Sequence, residues 1–239
     1  MRILSFLTVS LMGLTLGAPV AVAQDLTLAA GAGYRKPVAE AVAAFEAQGG
    51  AGIGQVFGNM GQVIAQARES GVIGMVCGDR AKLDAAQGLA FTRFVPFGKG
   101  ALVVGYRKGL TLTDPAEIAD DTVARVAMPD EKAAIYGIAG RQYLTRAALA
   151  EAIDPKLMIV ATVPQVTAYL VQGEVDAGLL NATDALGAGD RIGGFLPVDP
   201  ALYDPIRIDC GILDETTASA FAAFLGSDTV KAITAKYGM

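Results

Sequence analysis

The sequence contains no histidine, only two cysteines and no long run of lysine and arginine. Without histidine the chain lacks the commonest general base and the commonest transition-metal ligand, which argues against hydrolases, catalytic triads and transition-metal sites. Its 24 acidic residues outnumber the 19 basic ones, and the net charge is −5. An acidic chain of this kind is a poor partner for nucleic acid or an anionic membrane. We therefore expect a protein that is not an enzyme and that uses no metal, cofactor or nucleic acid.

The first residues have the pattern of a secretory signal. Arg2 precedes an apolar run from Ile3 to about Gly17, and the small residues Ala21-Val22-Ala23 follow. A positive start, a short apolar core and an A-x-A site predict that residues 1–23 are a cleaved signal peptide and that the mature chain lies in the periplasm. No cysteine stands at the cleavage site, so we expect no lipid anchor. No later stretch reaches membrane-spanning length.

Beyond the signal, apolar runs of strand length alternate with amphipathic segments of helix length. The first series of strands and helices is predicted at Leu26–Ala30, Pro37–Gln48, Ile53–Phe57, Gly61–Ser70 and Ile73–Cys77. The second series is predicted at Val123–Met128, Lys132–Ala152, Leu157–Val160, Pro164–Gly173 and Val175–Leu180. Short, continuously apolar strands joined by helices predict mostly parallel sheets flanked by helices. Each series therefore predicts one α/β lobe.

Four more predicted strands connect these series, and two short helices end the chain. The strands are predicted at Phe91–Phe97, Ala101–Tyr106, Ile192–Val198 and Ile206–Leu213. If the last strand returns to the first lobe, the chain crosses between lobes twice, near Gly98–Tyr106 and Val198–Ile206. Residues 24–100 and 204–239 then form lobe I, and residues 101–203 form lobe II. The cleft between two such lobes is the natural ligand site.

Two turns of small residues precede the first two helices. They are Gly31-Ala32-Gly33 and Gly58-Asn59-Met60-Gly61. Such turns let a ligand approach the backbone closely, and the N–H groups at a helix N-terminus attract anions. Two of them in successive strand-to-helix connections predict a small-anion site in the cleft.

The last third of the chain carries the most specific motifs. The segments "VPQVTAYLVQGEVDAGLLNATDAL" (Val163–Leu186) and "FAAFLGSDTVKAITAKYGM" (Phe221–Met239) resemble the periplasmic molybdate-binding proteins and their oxyanion-binding relatives. The resemblance extends through "LAAGAGYRKPVAEAVAAFEA" and "FGNMGQVIAQ" to essentially the whole mature chain. It implies a type II periplasmic-binding fold and a monomer that delivers a small anion to the permease of an ABC importer.

The resemblance also implies which positions line the site. The family's first-loop serine falls at Ala32 or Gly33, its second-loop serine at Met60 after Asn59, and its "Y-A-T-D-A" tyrosine at Asn181. Backbone groups are implied in the turn Ala133–Tyr136, at Ala134 and Tyr136, and at Val163. Because three side-chain donors are exchanged, we expect weak or no binding of molybdate and tungstate. The amides of Asn59 and Asn181 are expected to serve the true ligand.

Tyr34 and Arg35 directly follow the first loop. A guanidinium there could bind a carboxylate, phosphonate or sulfonate by two hydrogen bonds, or it could be a solvated side chain of the first helical turn. An organic acid or another polar organic ligand is therefore the alternative to an oxyanion. A signalling or adhesion protein that has kept the fold is a third possibility.

Four other polar or sulfur-containing residues stand out. Asp79 and Asp184 lie where helix N-caps are expected, which argues for capping rather than acid–base chemistry. Cys77 ends the third strand and Cys210 lies in the returning strand, beside it in the implied fold. In an oxidising compartment these residues form either a disulfide or two buried thiols.

Overall fold

The computed structural model describes residues 25–239, and the predicted signal peptide at residues 1–23 lies outside them. Two five-stranded sheets form the framework. The first sheet contains β1 (Leu26–Gly31), β2 (Ile53–Gly58), β3 (Ile73–Asp79), β4 (Arg93–Gly100) and β10 (Ile206–Ile212). The second contains β5 (Leu102–Tyr106), β6 (Val126–Pro129), β7 (Leu157–Val160), β8 (Ala177–Asn181) and β9 (Gly194–Pro197). The predicted two-lobe α/β class is confirmed.

The helices follow the predicted order. The first sheet is accompanied by α1 (Arg35–Ala47), α2 (Met60–Ser70), α3 (Arg80–Asp84), α8 (Glu215–Leu225) and α9 (Asp228–Lys236). The second is accompanied by α4 (Ile135–Arg146), α5 (Ala150–Ile153), α6 (Val163–Gln172) and α7 (Ala182–Ala188). Apolar side chains alternate with polar ones at helical spacing, and the apolar side of each long helix packs on its sheet; α6, for example, buries Val163, Val166 and Leu170.

Both sheets are mixed, and they have the same plan. The strand orders are β2-β1-β3-β10-β4 and β7-β6-β8-β5-β9. In each sheet the first three strands are parallel, and the fourth position holds an antiparallel strand. That fourth strand is the one that has just arrived from the other lobe. The central strands β3 and β8 are buried along their whole length, as strands covered on both faces must be.

Two segments connect the sheets, and they can be compared with the predicted crossings near Gly98–Tyr106 and Val198–Ile206. Strand β4 ends at Gly100 and β5 begins at Leu102, so the first crossing is a single residue. The second runs from the end of β9 at Pro197 to the start of β10 at Ile206. The lobe boundaries predicted at residues 101 and 204 fall within these connections. Because β10 pairs with β3, Cys210 lies opposite Cys77, and a disulfide joins them.

The single long helix predicted at Lys132–Ala152 is wrong. Its first three residues form a turn in which the carboxylate of Asp130 accepts hydrogen bonds from the backbone N–H groups of Lys132 and Ala133. The helix then ends at Arg146, because Ala148 adopts a left-handed backbone conformation with φ of 57°. No glycine marks this break, and the periodicity of the apolar residues continues through it.

The two capping predictions have different outcomes. Asp79 is the N-cap of α3, where it accepts a hydrogen bond from the N–H of Lys82 at 3.1 Å. The prediction for Asp184 is wrong, because Asn181 takes the N-cap position of α7 and accepts from the N–H of Asp184 at 3.0 Å. The carboxylate of Asp184 instead accepts from the hydroxyl of Thr167.

Candidate functional site

A small cavity lies between the lobes, where the N-termini of α2, α4 and α6 meet the turn that follows β1. Its volume is about 20 Å³. A single water needs roughly 10–15 Å³ measured in this way, so in this form of the protein the free space is that of one or two waters. It is lined by Ala32, Gly33, Tyr34, Asn59, Met60, Ala134, Ile135, Tyr136, Thr162 and Val163.

The N-termini of α2 and α6 are fixed by side chains next to them in the sequence, whereas α4 has Ala134 at its N-cap position and no side-chain cap. Asn59 caps α2 by accepting from the N–H of Gln62 at 2.9 Å, and Gln62 accepts from the N–H of Asn59 at 3.0 Å. This reciprocal capping box orients the first turn of the helix. At α6, the side-chain oxygen of Gln165 accepts from the N–H groups of Ala161 and Thr162, at 2.8 and 3.1 Å. The sequence near these two helix starts thus fixes backbone that surrounds the cavity.

The cavity wall attracts anions through backbone dipoles. Met60, Ile135 and Val163 are the first residues of α2, α4 and α6. Their N–H groups have no acceptor within their own helices, because the first turn of every α-helix leaves its donors free. Each helix also contributes a partial positive charge at this end. None of the ten lining residues has a charged side chain. The arrangement therefore offers hydrogen-bond donors and positive potential without a counter-charge.

Two tyrosines from opposite lobes form the back of the cavity. The hydroxyls of Tyr34, before α1, and Tyr136, in α4, are 2.6 Å apart, and both side chains are buried. Burial is the main reason that the pKa of each phenol is raised above its ordinary value, so both remain neutral. Gly100, the last residue of β4, makes room for them, since a Cβ at this position would overlap the Tyr136 hydroxyl. The pair joins the lobes directly beside the crossing.

Asn181 lies behind the cavity rather than in its wall. Its side chain is fully buried, and its amide nitrogen donates to the carbonyl of Gly33 in the other lobe at 2.7 Å. Its amide oxygen caps α7 through the N–H of Asp184. The sequence analysis predicted a ligand donor at Asn181, but in the structure its amide nitrogen and its amide oxygen both bond to protein groups. Gly33 also needs to be small, because a Cβ there would lie 2.9 Å from this amide nitrogen.

Arg35 lies outside the cavity. Its side chain is exposed, and its guanidinium carbon is 4.7 Å from the centre of the Phe57 ring, where a cation–π contact holds it on the surface. The other eight predicted positions lie in the wall. The Met60 side chain is part of this wall. Its sulfur packs closely on Gly78, where an added Cβ would overlap the sulfur.

Two residues in the wall were missed by sequence reasoning, Ile135 and Thr162. Each is next in sequence to a predicted one. A signal for Thr162 was present: threonine followed three residues later by glutamine, with a proline in the first turn, is typical of a helix N-cap. Thr162 brings an aliphatic hydroxyl to the wall.

A larger cavity of about 300 Å³ lies beside this site, between α3, α4 and the second crossing. Its polar lining includes the carboxylates of Asp79 and Asp204. Burial raises the pKa of Asp79, against the lowering effect of the Lys82 N–H and ammonium groups. With two carboxylates in its lining against the single ammonium group of Lys82, this larger space is less suitable for an anion than the small cavity. The small, uncharged cavity is therefore the candidate ligand site.

Two further observations cover residues 25–239. Within this part of the chain, no three residues of the histidine, cysteine, aspartate and glutamate types are grouped in a way that could hold a metal ion. None of the helices in the same range has the length and apolar character needed to cross a membrane.

Comparison with known proteins agrees with the resemblance found in the sequence. The molybdate-binding protein ModA of Rhodobacter capsulatus is 27% identical over 240 residues, covering 95% of this chain and 91% of that protein. ModA of Azotobacter vinelandii is 27% identical over 248 residues, covering 98% of this chain and 97% of that protein.

Among solved structures, the periplasmic molybdate-binding protein of Azotobacter vinelandii superposes with a TM-score of 0.82 at 21% identity, over 90% of this chain and 98% of that one. The sulfate-binding protein SubI of Mycobacterium tuberculosis gives a TM-score of 0.71 at 16% identity, over 90% and 86% of the two chains. At these identities the structures show a shared fold. The family of bacterial extracellular solute-binding proteins matches residues 26–239. The chain belongs to this family of bacterial extracellular solute-binding proteins.

Proposed function

We propose that this chain is the periplasmic ligand-capturing subunit of an ABC importer, and that it binds a compact, fully ionised oxyanion between its lobes. The observation that carries the proposal is the small cavity at three helix N-termini, whose wall has no charged side chain. Backbone dipoles stabilise an anion there without a neutralising cation. The molybdate and sulfate named for the relatives and neighbours belong to this class of ligand.

The organic-acid alternative has less support. The side chain on which this alternative depended, Arg35, lies on the Phe57 ring at the surface. A carboxylate ligand would also gain most from a bidentate cation, and the cavity wall has none.

Contacts between the lobes support a mechanism of capture by closure. In addition to the tyrosine pair and the Asn181 bond to Gly33, the N–H of Gly61 donates to the carbonyl of Ala133 at 3.2 Å. These contacts join lobe I to lobe II on both sides of the cavity. A ligand that bridges the same segments adds to them and shifts the population toward the closed form. The closed form is then what the permease recognises.

Phosphate should bind this site poorly, because its hydroxyl hydrogen would lack an acceptor. At neutral pH phosphate carries at least one hydroxyl, which needs an acceptor inside the site. The wall has no carboxylate to accept it. Leaving one buried donor unpaired costs about 1–3 kcal/mol, roughly one to two factors of ten in affinity. Sulfate and molybdate present acceptors only and avoid this penalty.

Molybdate has a smaller expected advantage here than in a site with more side-chain hydroxyls. Ala32, Gly33 and Met60 supply no hydroxyl, and one of the two hydroxyls of Tyr34 and Tyr136 is used in donating to the other. The hydroxyl of Thr162 replaces one donor. We therefore propose that molybdate and tungstate bind, but weakly compared with the best oxyanion for this site.

The test is calorimetry with sulfate, molybdate, tungstate, phosphate and oxalate, preceded by native mass spectrometry of the protein as purified. We expect one-to-one binding of an oxyanion, with phosphate at least about tenfold weaker. Thr162→Val should weaken binding about tenfold, and the matched change Thr229→Val, at an exposed position, should not. Tighter binding of oxalate, or no binding of any anion, contradicts the proposal; the second result favours a signalling or adhesion role.

A further inference from the structure

A basic groove lies beside the anion cavity. Its volume is about 330 Å³, and its wall contains Arg68 from α2, Lys82 from α3 and Lys132 from the segment before α4. The first two belong to lobe I and the third to lobe II. They are far apart in the sequence, so no basic cluster is visible there, and the fold brings them together.

Among the described residues, none of these cations is held in a close ion pair; the ammonium groups of Lys82 and Lys132 act only at longer range on the carboxylates of Asp79 and Asp130. In the described part of the chain, none of the three forms an ion pair within 4.0 Å. The nearby carboxylate of Asp84 is held by Arg80 at 2.8 Å. That of Glu131 is held by Arg141, also at 2.8 Å. The ammonium group of Lys82 donates to the backbone carbonyl of Lys132 at 3.3 Å, so it reaches across the cleft.

The groove is continuous with the ligand site. Gly61 and Ala133 line the groove, and their chain neighbours Met60 and Ala134 line the cavity. The bond from the N–H of Gly61 to the carbonyl of Ala133 lies where the linings of the two spaces meet. Opening the lobes breaks this bond between lobes, and the groove then leads directly to the helix N-termini.

An anion needs a long-range attraction that the cavity itself does not supply. The cavity wall is uncharged, and the dipole of a helix acts mainly within its first turn. The whole chain is acidic, with a net charge of −5, so its summed charge repels a dianion at long range. A cleft edge with a single sign of charge raises the association rate of an oppositely charged ligand by about 10- to 1,000-fold.

We propose that the groove formed by Arg68, Lys82 and Lys132 is the route by which the oxyanion enters the cleft, and that its cations set the association rate. The helix N-termini of the cavity then set how long the anion stays. The inference rests on the proposed function, because it requires an anionic ligand. It assigns to these three residues a role in capture that is separate from holding the bound ion.

The test compares two triple variants with the same change in net charge. Arg68→Gln, Lys82→Gln and Lys132→Gln remove the groove cations; Arg125→Gln, Lys108→Gln and Lys231→Gln remove one arginine and two lysines from exposed positions elsewhere. Stopped-flow mixing with sulfate and with molybdate follows the fluorescence of the tyrosines, two of which line the site. At about 10 mM salt, where the screening length is long, the groove variant should associate roughly tenfold more slowly, with a dissociation rate within about twofold of the wild type.

Two controls separate the outcomes. The loss should shrink several-fold at about 1 M salt, because screening removes the effect of distant charge. A variant with Arg68→Lys, Lys82→Arg and Lys132→Arg keeps the three positive charges, so its association rate should equal that of the wild type. Equal slowing of both triple variants, or a change confined to the dissociation rate, overturns the inference while leaving the proposed function intact. A wild-type chain that binds neither anion overturns the proposed function and, with it, this inference.

Discussion

The two lobes are built on the same plan but contribute differently to the site. In both sheets a strand that has crossed from the other lobe occupies the fourth position, antiparallel to its neighbours. In lobe I this strand is joined to β3 by the Cys77–Cys210 disulfide; in lobe II the equivalent pair, β5 and β8, is held by hydrogen bonds and apolar packing. Lobe I supplies the N-terminus of one long helix, α2, and the turn after β1 to the cavity. Lobe II supplies the N-termini of two long helices, α4 and α6. A common topology thus supports a cross-linked lobe and an uncross-linked one that closes on it.

The largest test of this comparison is removal of the disulfide. The bridge joins residues 133 positions apart, and the chain between them passes through the whole of lobe II. Cys77→Ala with Cys210→Ala should lower the free energy of unfolding by about 2–5 kcal/mol, because the unfolded chain is no longer constrained. Urea denaturation measures the loss, and the reduced wild type should lose a similar amount. Two free thiols in the unfolded, unreduced wild type would contradict the pairing.

Lobe II relies on a buried carboxylate where lobe I has its disulfide. Asp176, next to β8, accepts from Arg107 at 2.8 Å and from the N–H groups of Ala124 and Arg125 at 2.9 Å. Burial opposes ionisation of Asp176, but these hydrogen bonds outweigh it and hold its pKa below the ordinary value. The folded state therefore gains stability above the ordinary aspartate pKa and loses it as the pH falls through the lowered value.

Asp176→Asn should accordingly destabilise the protein at neutral pH by about 1–3 kcal/mol. The difference from the wild type should shrink below about pH 4 and vanish at lower pH, where both forms are uncharged. Urea denaturation at several pH values measures this. A pH-independent difference would mean that packing, rather than charge, accounts for the loss.

A third prediction concerns the hydrogen bond between Tyr34 and Tyr136, which joins the two lobes. Tyr136→Phe leaves the Tyr34 hydroxyl buried without its partner in the closed form, whereas in the open form water solvates it. The cost of about 1–2 kcal/mol therefore falls on closure, and the affinity for the bound oxyanion should drop roughly tenfold. The double change Tyr34→Phe with Tyr136→Phe should be less harmful than either single change, since it leaves no unpaired hydroxyl. Additive losses, measured by calorimetry, would contradict a direct bond between the hydroxyls.

Much of this architecture could be predicted from the sequence, because continuously apolar strands, amphipathic helices and small-residue turns are local patterns. The positions of Ala32, Gly33, Asn59 and Val163 in the cavity wall follow from such turns and from the resemblance. The unexpected features depend on partners distant in the chain. Asn181 reaches the carbonyl of Gly33, 148 residues away. A local pattern states which groups a side chain offers, and only the fold determines where they are used.

The basic groove and the broken helix show the same limit in different ways. Arg68, Lys82 and Lys132 are isolated in the sequence and form one surface only after folding. The helix break at Ala148 requires a left-handed conformation that alanine adopts at a cost, so composition gave no sign of it. In the case of Asp184, the N-cap of α7 is Asn181, three residues earlier in the sequence.

The smallest expected effect concerns Asp79, the lobe I carboxylate whose pKa shifts opposite to that of Asp176. Burial at the larger cavity raises its pKa, so ionisation of Asp79 is less favourable in the folded state than in the unfolded one. This penalty applies at neutral pH, fades as the pH falls through the raised value, and is absent below the ordinary aspartate pKa. An asparagine at this position would keep the helix cap, because asparagine and aspartate serve equally well there. Asp79→Asn should therefore leave stability at pH 7 unchanged or raise it by less than about 0.5 kcal/mol, in contrast to Asp176→Asn. Urea denaturation of the two variants side by side measures the contrast, and a loss of more than about 1 kcal/mol for Asp79→Asn would show that its charge stabilises lobe I.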